Sequence, residues 1–469
     1  MTKQEAVIKY IEDNYLQFKR LRHDVVSDKL QIRLSGEEAM RLLGERQEYW
    51  REMTKHDINS IVCHCAQECD VNITSREVMT ALQSDLIPDV HTLREYILSL
   101  PPFTLDQPDW IDLVASQVRV RESAQDRPAG CRSAQVPVDG RSATPVDNAM
   151  LFSTASTTSD LQQCDPQCSA SETIYSEQRE RSEANAFWRA CFKKWFVAMV
   201  ASWMKDEVVN HQVLVLIGKQ GIFKTTWLEH LIPPHLRTYA CKLANSTDLN
   251  RDERLRIAEF GLISLDEIDS MNNRELNQLK SIITATDVNE RAAYAYTKER
   301  RVRLASFCAS GNRRDFLTDI TGNRRWLPFE VESIQNPFTT LLPYERMYAQ
   351  AWALAQDPFF SYWFDLDEIE VLEQHNQHFR DESNEEQLLP ILFDVPAEGK
   401  GEFLTTAQIS ERLITYGNIK KPMALSRLGM LLGAHGFQKK TIGVQRLRGW
   451  LVYQRSMDEI NANKRLYAK

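Results

Sequence analysis

The stretch VLVLIGKQGIFKTTWL at 213–228 limits the fold of this chain more than any other feature. A short apolar run, VLVLI, precedes a loop that starts at Gly218, and Lys224-Thr225 then begins a helical pattern. A phosphate-binding loop is built in this way, because backbone N–H groups in the loop and a following Lys-Ser/Thr pair hold the phosphates. The pattern predicts a strand–loop–helix unit that binds a nucleotide through Gly218, Gly221, Phe223, Lys224, Thr225 and Thr226.

Phe223 departs from this pattern, because such loops normally carry glycine immediately before the lysine. The residue flanks the start of the helix, and we expect ordinary right-handed dihedrals with the side chain pointing outward. Read alone, the motif leaves a chance match open as an alternative.

Three further segments add polar groups in a consistent order along the chain. GLISLDEID at 261–269 is an apolar strand that ends in Asp266-Glu267, where one carboxylate can hold Mg²⁺ and its neighbour can polarise an attacking water. RLASFCASGN ends in Asn312, a position suited to orienting water, and TGNRRWLPFEV carries Arg324 and Arg325, which can offset phosphate charge. The alternatives are a solvated acidic turn, a Gly-Asn turn and a surface arginine pair. Asp269 is interpreted as a surface residue.

The order of these segments and their residues resemble those of the virulence-associated E family, which is similar to superfamily 3 helicases within the AAA+ ATPases. The resemblance covers about 184–335, with looser similarity toward the N-terminus. It implies that Lys224 and Thr225 form the Walker A pair, Asp266 and Glu267 the Walker B pair, and Asn312 sensor 1. It also implies an arginine finger at Arg324 or Arg325, ATP and Mg²⁺ as ligands, with Thr225 and Asp266 at the metal, and a homo-oligomeric ring. Glycine is common in the family at the position of Phe223. The phenylalanine is therefore expected to affect nucleotide affinity and turnover rate more than nucleotide binding itself.

Two basic segments are candidate DNA contacts. The resemblance to superfamily 3 rings implies a hairpin before sensor 1 that grips single-stranded DNA in a pore. The segment NERAAYAYTKERRVRL at 289–304 lies at that place and sets cations beside tyrosines, which suits the task. The C-terminal residues 402–469 hold 12 Lys and Arg against 4 Asp and Glu, which suits a module docking on duplex DNA. The residues predicted to contact DNA are Lys298, Arg300, Arg301, Arg303, Lys439, Lys440, Arg446 and Arg448. The alternatives are solvated basic faces, an intersubunit surface, or docking of the tail on the acidic segment of the chain.

Composition shifts along the sequence predict five regions. Strand-like runs alternate with helical ones from about 183 to 332, which predicts an α/β class. The family resemblance implies that the sheet of this region is parallel and AAA+-like. Residues 122–182 are rich in Ser, Thr, Gln, Ala and Pro, which predicts a disordered linker. The predicted regions are an N-terminal α+β domain (1–121), this linker (122–182), the P-loop ATPase domain (183–360), an acidic linker (361–401) and a basic winged-helix-like module (402–469).

We therefore predict an ATP-hydrolysing DNA helicase-like protein that acts in replication of a mobile element. A DNA-binding replication or regulatory protein whose ATP site only switches conformation is the alternative. A signalling or defence protein whose basic module binds protein is a third. No run of about 18 apolar residues is present, and the first residues lack a signal core, so we expect a cytoplasmic protein without a membrane partner.

Overall fold

A computed structural model describes most of the chain. The described residues are 2–35, 49–121, 185–244, 251–290, 299–318, 322–397, 401–443 and 446–461. The linker predicted at 122–182 lies outside them.

The N-terminal part combines a small sheet with short helices. Its elements are α1 (Lys3–Ile11), β1 (Leu21–Asp24), β2 (Lys29–Leu34), β3 (Tyr49–Glu52), α2 (Lys55–Cys69), α3 (Ser75–Leu82) and β4 (Asp89–Val90). β1 and β2 form a hairpin in which the strands pair antiparallel with Asp24 opposite Lys29. Thr54 and Thr74 each form a capping box at the start of their helix.

The next segment leaves this sheet and joins the central part of the molecule. It contains α4 (Thr92–Ser99), α5 (Trp110–Ala115) and β5 (Val118–Val120). Leu93, Ile111 and Val120 belong to the same buried cluster as the central helices, and β5 pairs with a strand of the central sheet. The N-terminal fold therefore ends near residue 90, earlier than the boundary predicted at 121. The sequence does not reveal this, because short amphipathic helices carry no mark of which sheet they cover.

A mixed α/β unit forms the centre, in agreement with the predicted class. Its elements are α6 (Ala186–Met204), β6 (Val213–Ile217), α7 (Lys224–His230), β7 (Ala240–Ala244), α8 (Arg251–Glu259), β8 (Leu262–Asp266), α9 (Asn273–Thr284), β9 (Asp287–Glu290), β10 (Glu299–Val302), β11 (Ser306–Gly311), β12 (Trp326–Ile334) and α10 (Tyr344–Gln356). The sheet order is β5-β12-β6-β11-β8-β7, and β12, β6, β11, β8 and β7 run parallel.

Helices cover both faces of this sheet. Along β6, Leu214 and Leu216 pack with α6 and α10, whereas Val213, Val215 and Ile217 pack with α8 and α9. A parallel strand buried on both sides needs such a continuous apolar run. The carboxyl ends of β6, β8 and β11 consequently meet at one edge, where their polar residues can converge.

The acidic segment predicted as a linker is folded and packed. It forms α11 (Leu366–Gln377), α12 (Asn384–Leu392) and β13 (Phe393–Asp394). Leu372, His375 and Asn376 are buried, and the His375 ring lies 2.7 Å from the carbonyl of Pro328 in β12. The prediction was wrong, because one buried stripe at helical spacing suffices for packing while the remaining positions stay acidic.

The C-terminal module follows as β14 (Glu402–Leu404), α13 (Thr406–Gly417), α14 (Leu425–Ala434), β15 (Gln438–Ile442) and β16 (Leu447–Gln454). β15 and β16 pair antiparallel, and β16 also pairs with β13 and β14. In the region predicted as a basic winged-helix-like module, two helices thus precede a basic hairpin.

Across the described ranges, helices long and apolar enough to cross a membrane are absent.

Candidate nucleotide site

The loop at 218–223, called the glycine loop below, connects the end of β6 to α7. A Cβ on Gly218 would lie 2.7 Å from the carbonyl oxygen of Val331, so this position has no room for a side chain. Gly221 has a φ of 86°, a conformation that favours glycine. Both glycines therefore fit the tight loop predicted for them.

Phe223 also has a left-handed backbone, with φ 67° and ψ 18°. The right-handed conformation predicted for it was wrong: the loop keeps the dihedral angles that suit glycine although the residue is phenylalanine. A residue with a Cβ in this region costs about 1–2 kcal/mol. The Phe223 ring lines the cleft beside the loop and contacts Phe338 edge to face, with ring centroids 6.3 Å apart.

Lys224 turns back over the glycine loop. Its ammonium group donates hydrogen bonds to the carbonyl oxygens of Gly218 (2.8 Å) and Lys219 (2.7 Å). Only 7% of Lys224 is exposed. Burial lowers the pKa of the amine, and the nearby Asp269 and Asp266 carboxylates only partly oppose that effect. The lysine is thus held at the loop by carbonyls that an anion can replace as acceptors.

Thr225 and Asp266, the pair that the family resemblance implies at the metal, meet where α7 begins and β8 ends. The Thr225 hydroxyl donates to Asp266 Oδ1 at 3.1 Å, and the Ser310 hydroxyl donates to the same oxygen at 2.6 Å. Lys242, on β7, lies 2.9 Å from Asp266 Oδ2.

The environment of Asp266 favours its ionised form. Partial burial pushes the pKa of Asp266 upward, but hydrogen bonds from Ser310 and Lys242, together with the charge of Lys242, outweigh that effect and lower the pKa. A carboxylate beside two hydroxyl oxygens is a donor set that fits Mg²⁺. The residues present therefore suit the predicted metal.

Glu267 follows Asp266, but its carboxylate is placed differently. Its backbone is left-handed (φ 54°, ψ 46°) where β8 ends, and its side chain is exposed and lines the cleft. Strained non-glycine residues of this kind cluster at functional sites. The arrangement leaves one carboxylate of the acidic pair accessible while the other is fixed by neighbours.

Asn312 lies where β11 ends and faces the glycine loop. Its side-chain oxygen accepts a hydrogen bond from the Lys224 ammonium at 3.3 Å. The Asp269 carboxylate accepts hydrogen bonds from the backbone N–H groups of Asn312 (3.2 Å) and Arg313 (3.1 Å). The surface role predicted for Asp269 was wrong, because its side chain is 10% exposed and fixes the turn that presents Asn312.

These residues surround one cleft of about 310 Å³ at the carboxyl edge of the sheet. The predicted residues that line it are Gly221, Phe223, Lys224, Thr225, Thr226, Asp266, Glu267 and Asn312. Sequence reasoning missed Ser310, Lys242 and Asp269. Ser310 sits two residues before Asn312 on a strand that ends at the same edge, so the parallel-strand argument would have found it. Lys242 has no local signal.

Arg324 and Arg325 do not reach this cleft within the same chain. They precede β12, whose first residue Trp326 pairs with Val213 at the amino end of β6. The glycine loop follows Ile217 at the other end of that strand, about 15 Å away. Both arginines instead line a second cleft of about 400 Å³ with His211, Tyr362 and Trp363.

In the segment from β9 to Arg303, called the central hairpin below, the described arginines do not form the predicted row of free cations. Arg303 is 1% exposed and donates to the carbonyls of Ala305 and Asn210 at 3.0 and 2.9 Å and to that of Ile283. Its predicted DNA contact was wrong, because the guanidinium satisfies buried carbonyls. Arg301 binds Asp28 at 2.7 Å, Arg300 binds Asp287 at 2.6 Å, and Lys298 lies outside the described residues.

The β15–β16 hairpin, called the C-terminal hairpin below, differs. Lys439, Lys440, Arg446 and Arg448 are all exposed. Lys439 and Arg448 lie on one face of the hairpin, because Lys439 pairs with Trp450 and Thr441 with Arg448. The Lys439 ammonium lies 5.8 Å from the Trp450 ring. These cations are available to an anionic partner, and their contact with DNA stays a prediction.

Known proteins give one sequence match and several structural ones. Among curated proteins, none matches the chain. Two solved structures resemble it at 9% identity: the apo structure of the NrS-1 C-terminal region (305–718), with a TM-score of 0.39, and its A-form apo structure, with a TM-score of 0.40. Each alignment covers 96% of this chain and 99% of the other. TM-scores this low do not establish a shared fold.

The sequence match covers the elements from α6 to α11 and the start of α12. Residues 169–387 match the family described as the virulence-associated protein E-like domain. The range contains the glycine loop, the acidic pair, Asn312 and the arginine pair. Residues 169–387 therefore bear out the resemblance to the virulence-associated E family that the sequence predicted.

Proposed function

We propose that the protein is an ATP-hydrolysing, DNA helicase-like ATPase that acts in replication of a mobile genetic element. One observation carries the proposal: Lys224, Thr225, Asp266 and Asn312, which come from three separate segments, converge by direct hydrogen bonds on one cleft. The sequence motifs and the family resemblance they carry both point to these residues as parts of a nucleotide site. Convergence at one edge of a parallel sheet is what phosphoryl transfer requires of them.

Each residue has a distinct task in this proposal. The Lys224 ammonium exchanges loop carbonyls for phosphate oxygens, and the N–H groups of the glycine loop donate to the same phosphates. Thr225 and Asp266 would hold Mg²⁺, which neutralises phosphate charge when bound. Glu267 accepts a proton from the attacking water, and Asn312 orients that water.

The position of the arginine pair supports a ring of identical subunits. Arg324 and Arg325 lie at the edge of the sheet opposite the cleft, so they would act on phosphates bound by a neighbouring subunit. Partial burial and the charge of Arg324 lower the pKa of Arg325, because both disfavour its charged form. An adjacent anion would stabilise that charged form. The site is incomplete without the second copy under this proposal.

DNA contact is assigned mainly to the C-terminal hairpin, where exposed cations suit the phosphates of a duplex. In the central hairpin, Arg300 keeps an exposed side chain, 76% accessible, for single-stranded DNA in the pore. Arg301 and Arg303 are engaged within the protein.

An ATPase assay with and without single-stranded DNA tests the proposal. Wild-type protein is expected to hydrolyse ATP faster with DNA, and Lys224→Ala or Glu267→Gln to lower the rate at least about a hundredfold. Lys9→Ala and Glu373→Gln are matched controls, because these exposed residues lie on α1 and α11, away from the cleft. Both controls are expected to keep the wild-type rate.

Background turnover in wild-type protein, with or without DNA, would contradict the proposed hydrolysis. If ATP then still changed oligomer size or DNA affinity, the conformational-switch alternative would replace it. Equal rates in wild type and Lys224→Ala would remove the assignment of the cleft.

A further inference from the structure

The proposed phosphate cleft offers little apolar surface for a nucleobase. Its lining consists of glycine, hydroxyl, amide and charged side chains apart from Phe223. A nucleobase needs an apolar face to stack on, because its flat rings gain little from isolated polar contacts. The base of a bound nucleotide must therefore lie beyond the cleft. Phe223 is the aromatic residue in the lining, so the base is expected on its side of the cleft.

An aromatic surface continues from Phe223, at the start of α7, to His230 at its end. The Phe338 ring contacts the Phe223 ring at 6.3 Å between centroids and the His230 ring at 5.5 Å, both edge to face. His230 Nδ1 donates to the carbonyl of Thr226 at 2.7 Å, and Thr226 itself lines the cleft. The three rings thus form a surface that begins at the proposed phosphate site.

Phe338 is held in place although 68% of it is exposed. Its backbone N–H donates to the Asn336 side chain at 3.0 Å, and the N–H groups of Thr339 and Thr340 donate to the Asn336 carbonyl at 3.1 and 3.0 Å. Next to this turn, the Tyr344 hydroxyl donates to the carbonyl of His230 at 2.7 Å. A large apolar ring kept exposed on an ordered turn is available for a ligand to cover.

We infer that Phe338 stacks on the base of a purine nucleoside triphosphate whose phosphates occupy the cleft, with Phe223 and His230 supporting its ring. The inference rests on the proposed function, because it takes the phosphates as bound at Lys224. Phe338 is a specificity-determining residue here and takes no part in the chemistry. A purine presents a larger face than a pyrimidine, so ATP and GTP gain more from this contact than CTP or UTP.

Calorimetric titration with two Mg²⁺-loaded probes separates the base from the phosphates: ATP, and inorganic tripolyphosphate, which has no base. Phe338→Ala is expected to weaken ATP binding at least about fivefold, the lower end of what one base–aromatic stack contributes. Tripolyphosphate affinity is expected to stay within about twofold, since the phosphate site is intact. Phe338→Trp is expected to keep ATP affinity, because it retains a stacking face. Phe359→Ala is the control, since Phe359 is 96% exposed and does not line the cleft.

Equal weakening of ATP and tripolyphosphate by Phe338→Ala would overturn the inference, because the residue would then only support the loop. An unchanged ATP affinity in that variant would overturn it as well. If wild-type protein bound tripolyphosphate as tightly as ATP, the inference would fail while the phosphate site remained. Binding of neither probe to wild type would refute the proposed function, and the inference with it.

Discussion

The central hairpin and the C-terminal hairpin present the same sequence signal and differ in what the fold does with it. Both carry closely spaced Lys and Arg residues beside aromatic ones. In the central hairpin, Arg303 is buried among carbonyls and Arg301 binds Asp28 of the N-terminal part. In the C-terminal hairpin, Lys439 and Arg448 face solvent from one side of a two-stranded ribbon.

The difference shows that cation density alone does not identify a nucleic-acid surface. A guanidinium has five donors in a fixed fork, so it can satisfy several backbone carbonyls as readily as phosphates. The segment after β10 leads back into the central sheet at β11, and Arg303 enters the core with it. In the C-terminal hairpin, β15 pairs with β16 and every residue of β15 is exposed. Placement in the topology thus decides which cations remain available.

The largest expected effect comes from Arg303→Ala. Removing this buried guanidinium leaves several carbonyls without donors and opens a cavity, so the free energy of unfolding should fall by about 3 kcal/mol or more. Urea unfolding followed by circular dichroism measures the change. Arg300→Ala is the matched control in the same hairpin, and a loss below about 1 kcal/mol for Arg303→Ala would contradict the structural role.

The next largest effect is expected in the C-terminal hairpin. Replacing Lys439, Lys440 and Arg448 together by alanine should weaken duplex DNA binding at least about tenfold near 0.1 M salt, because fewer counterions are released. The slope of log affinity against log salt should become shallower by about 0.9 for each cation that contacts a phosphate. Fluorescence anisotropy across a salt series gives both quantities.

A control variant that loses the same number of positive charges tests whether net charge alone explains the effect. Replacing Lys9, Lys55 and Arg76 by alanine removes three exposed cations from the N-terminal part. Affinity and salt slope are expected to stay near the wild-type values in this control. If the two triple variants weakened binding equally, net charge rather than the hairpin would explain the effect.

The same contrast separates what the sequence predicted from what it did not. The glycine loop, the acidic pair and Asn312 were predicted, because parallel strands bring their carboxyl ends to one edge whatever the loops between them do. The backbone of Phe223 was not, because the loop imposes a left-handed angle that its side chain disfavours. The role of Asp269 was missed because it depends on the turn after β11, which contacts it from 43 residues away.

Domain boundaries were predicted less well for a related reason. The short helices at 92–115 and the acidic helix α11 both pack on the central unit through a few buried residues. Composition indicates whether a segment can fold but not which surface it covers. The residues around Leu372 and His375 are acidic, so the composition predicted a linker although this helix is packed.

A smaller effect is expected from Arg301→Ala, which removes the link between the central hairpin and the N-terminal part. Arg301 is 18% exposed and pairs with Asp28 at 2.7 Å and Glu259 at 3.6 Å. The loss should be about 1 kcal/mol, because Asp28 is half exposed and solvent screens the pair. A double-mutant cycle with Asp28→Ala measures the coupling, and additive losses would show that the pair contributes nothing.

The smallest effect on stability is expected from Arg300→Ala, and this variant sharpens the comparison most. Arg300 is 76% exposed, so solvent screens its pair with Asp287 and the free energy of unfolding should change by less than about 0.5 kcal/mol. Its effect on single-stranded DNA affinity then depends only on whether the side chain contacts phosphate, since the fold is unchanged. A severalfold loss of that affinity would give the central hairpin one functional cation among structural ones. An unchanged affinity would assign the described arginines of this hairpin to the fold and leave DNA contact to the C-terminal hairpin.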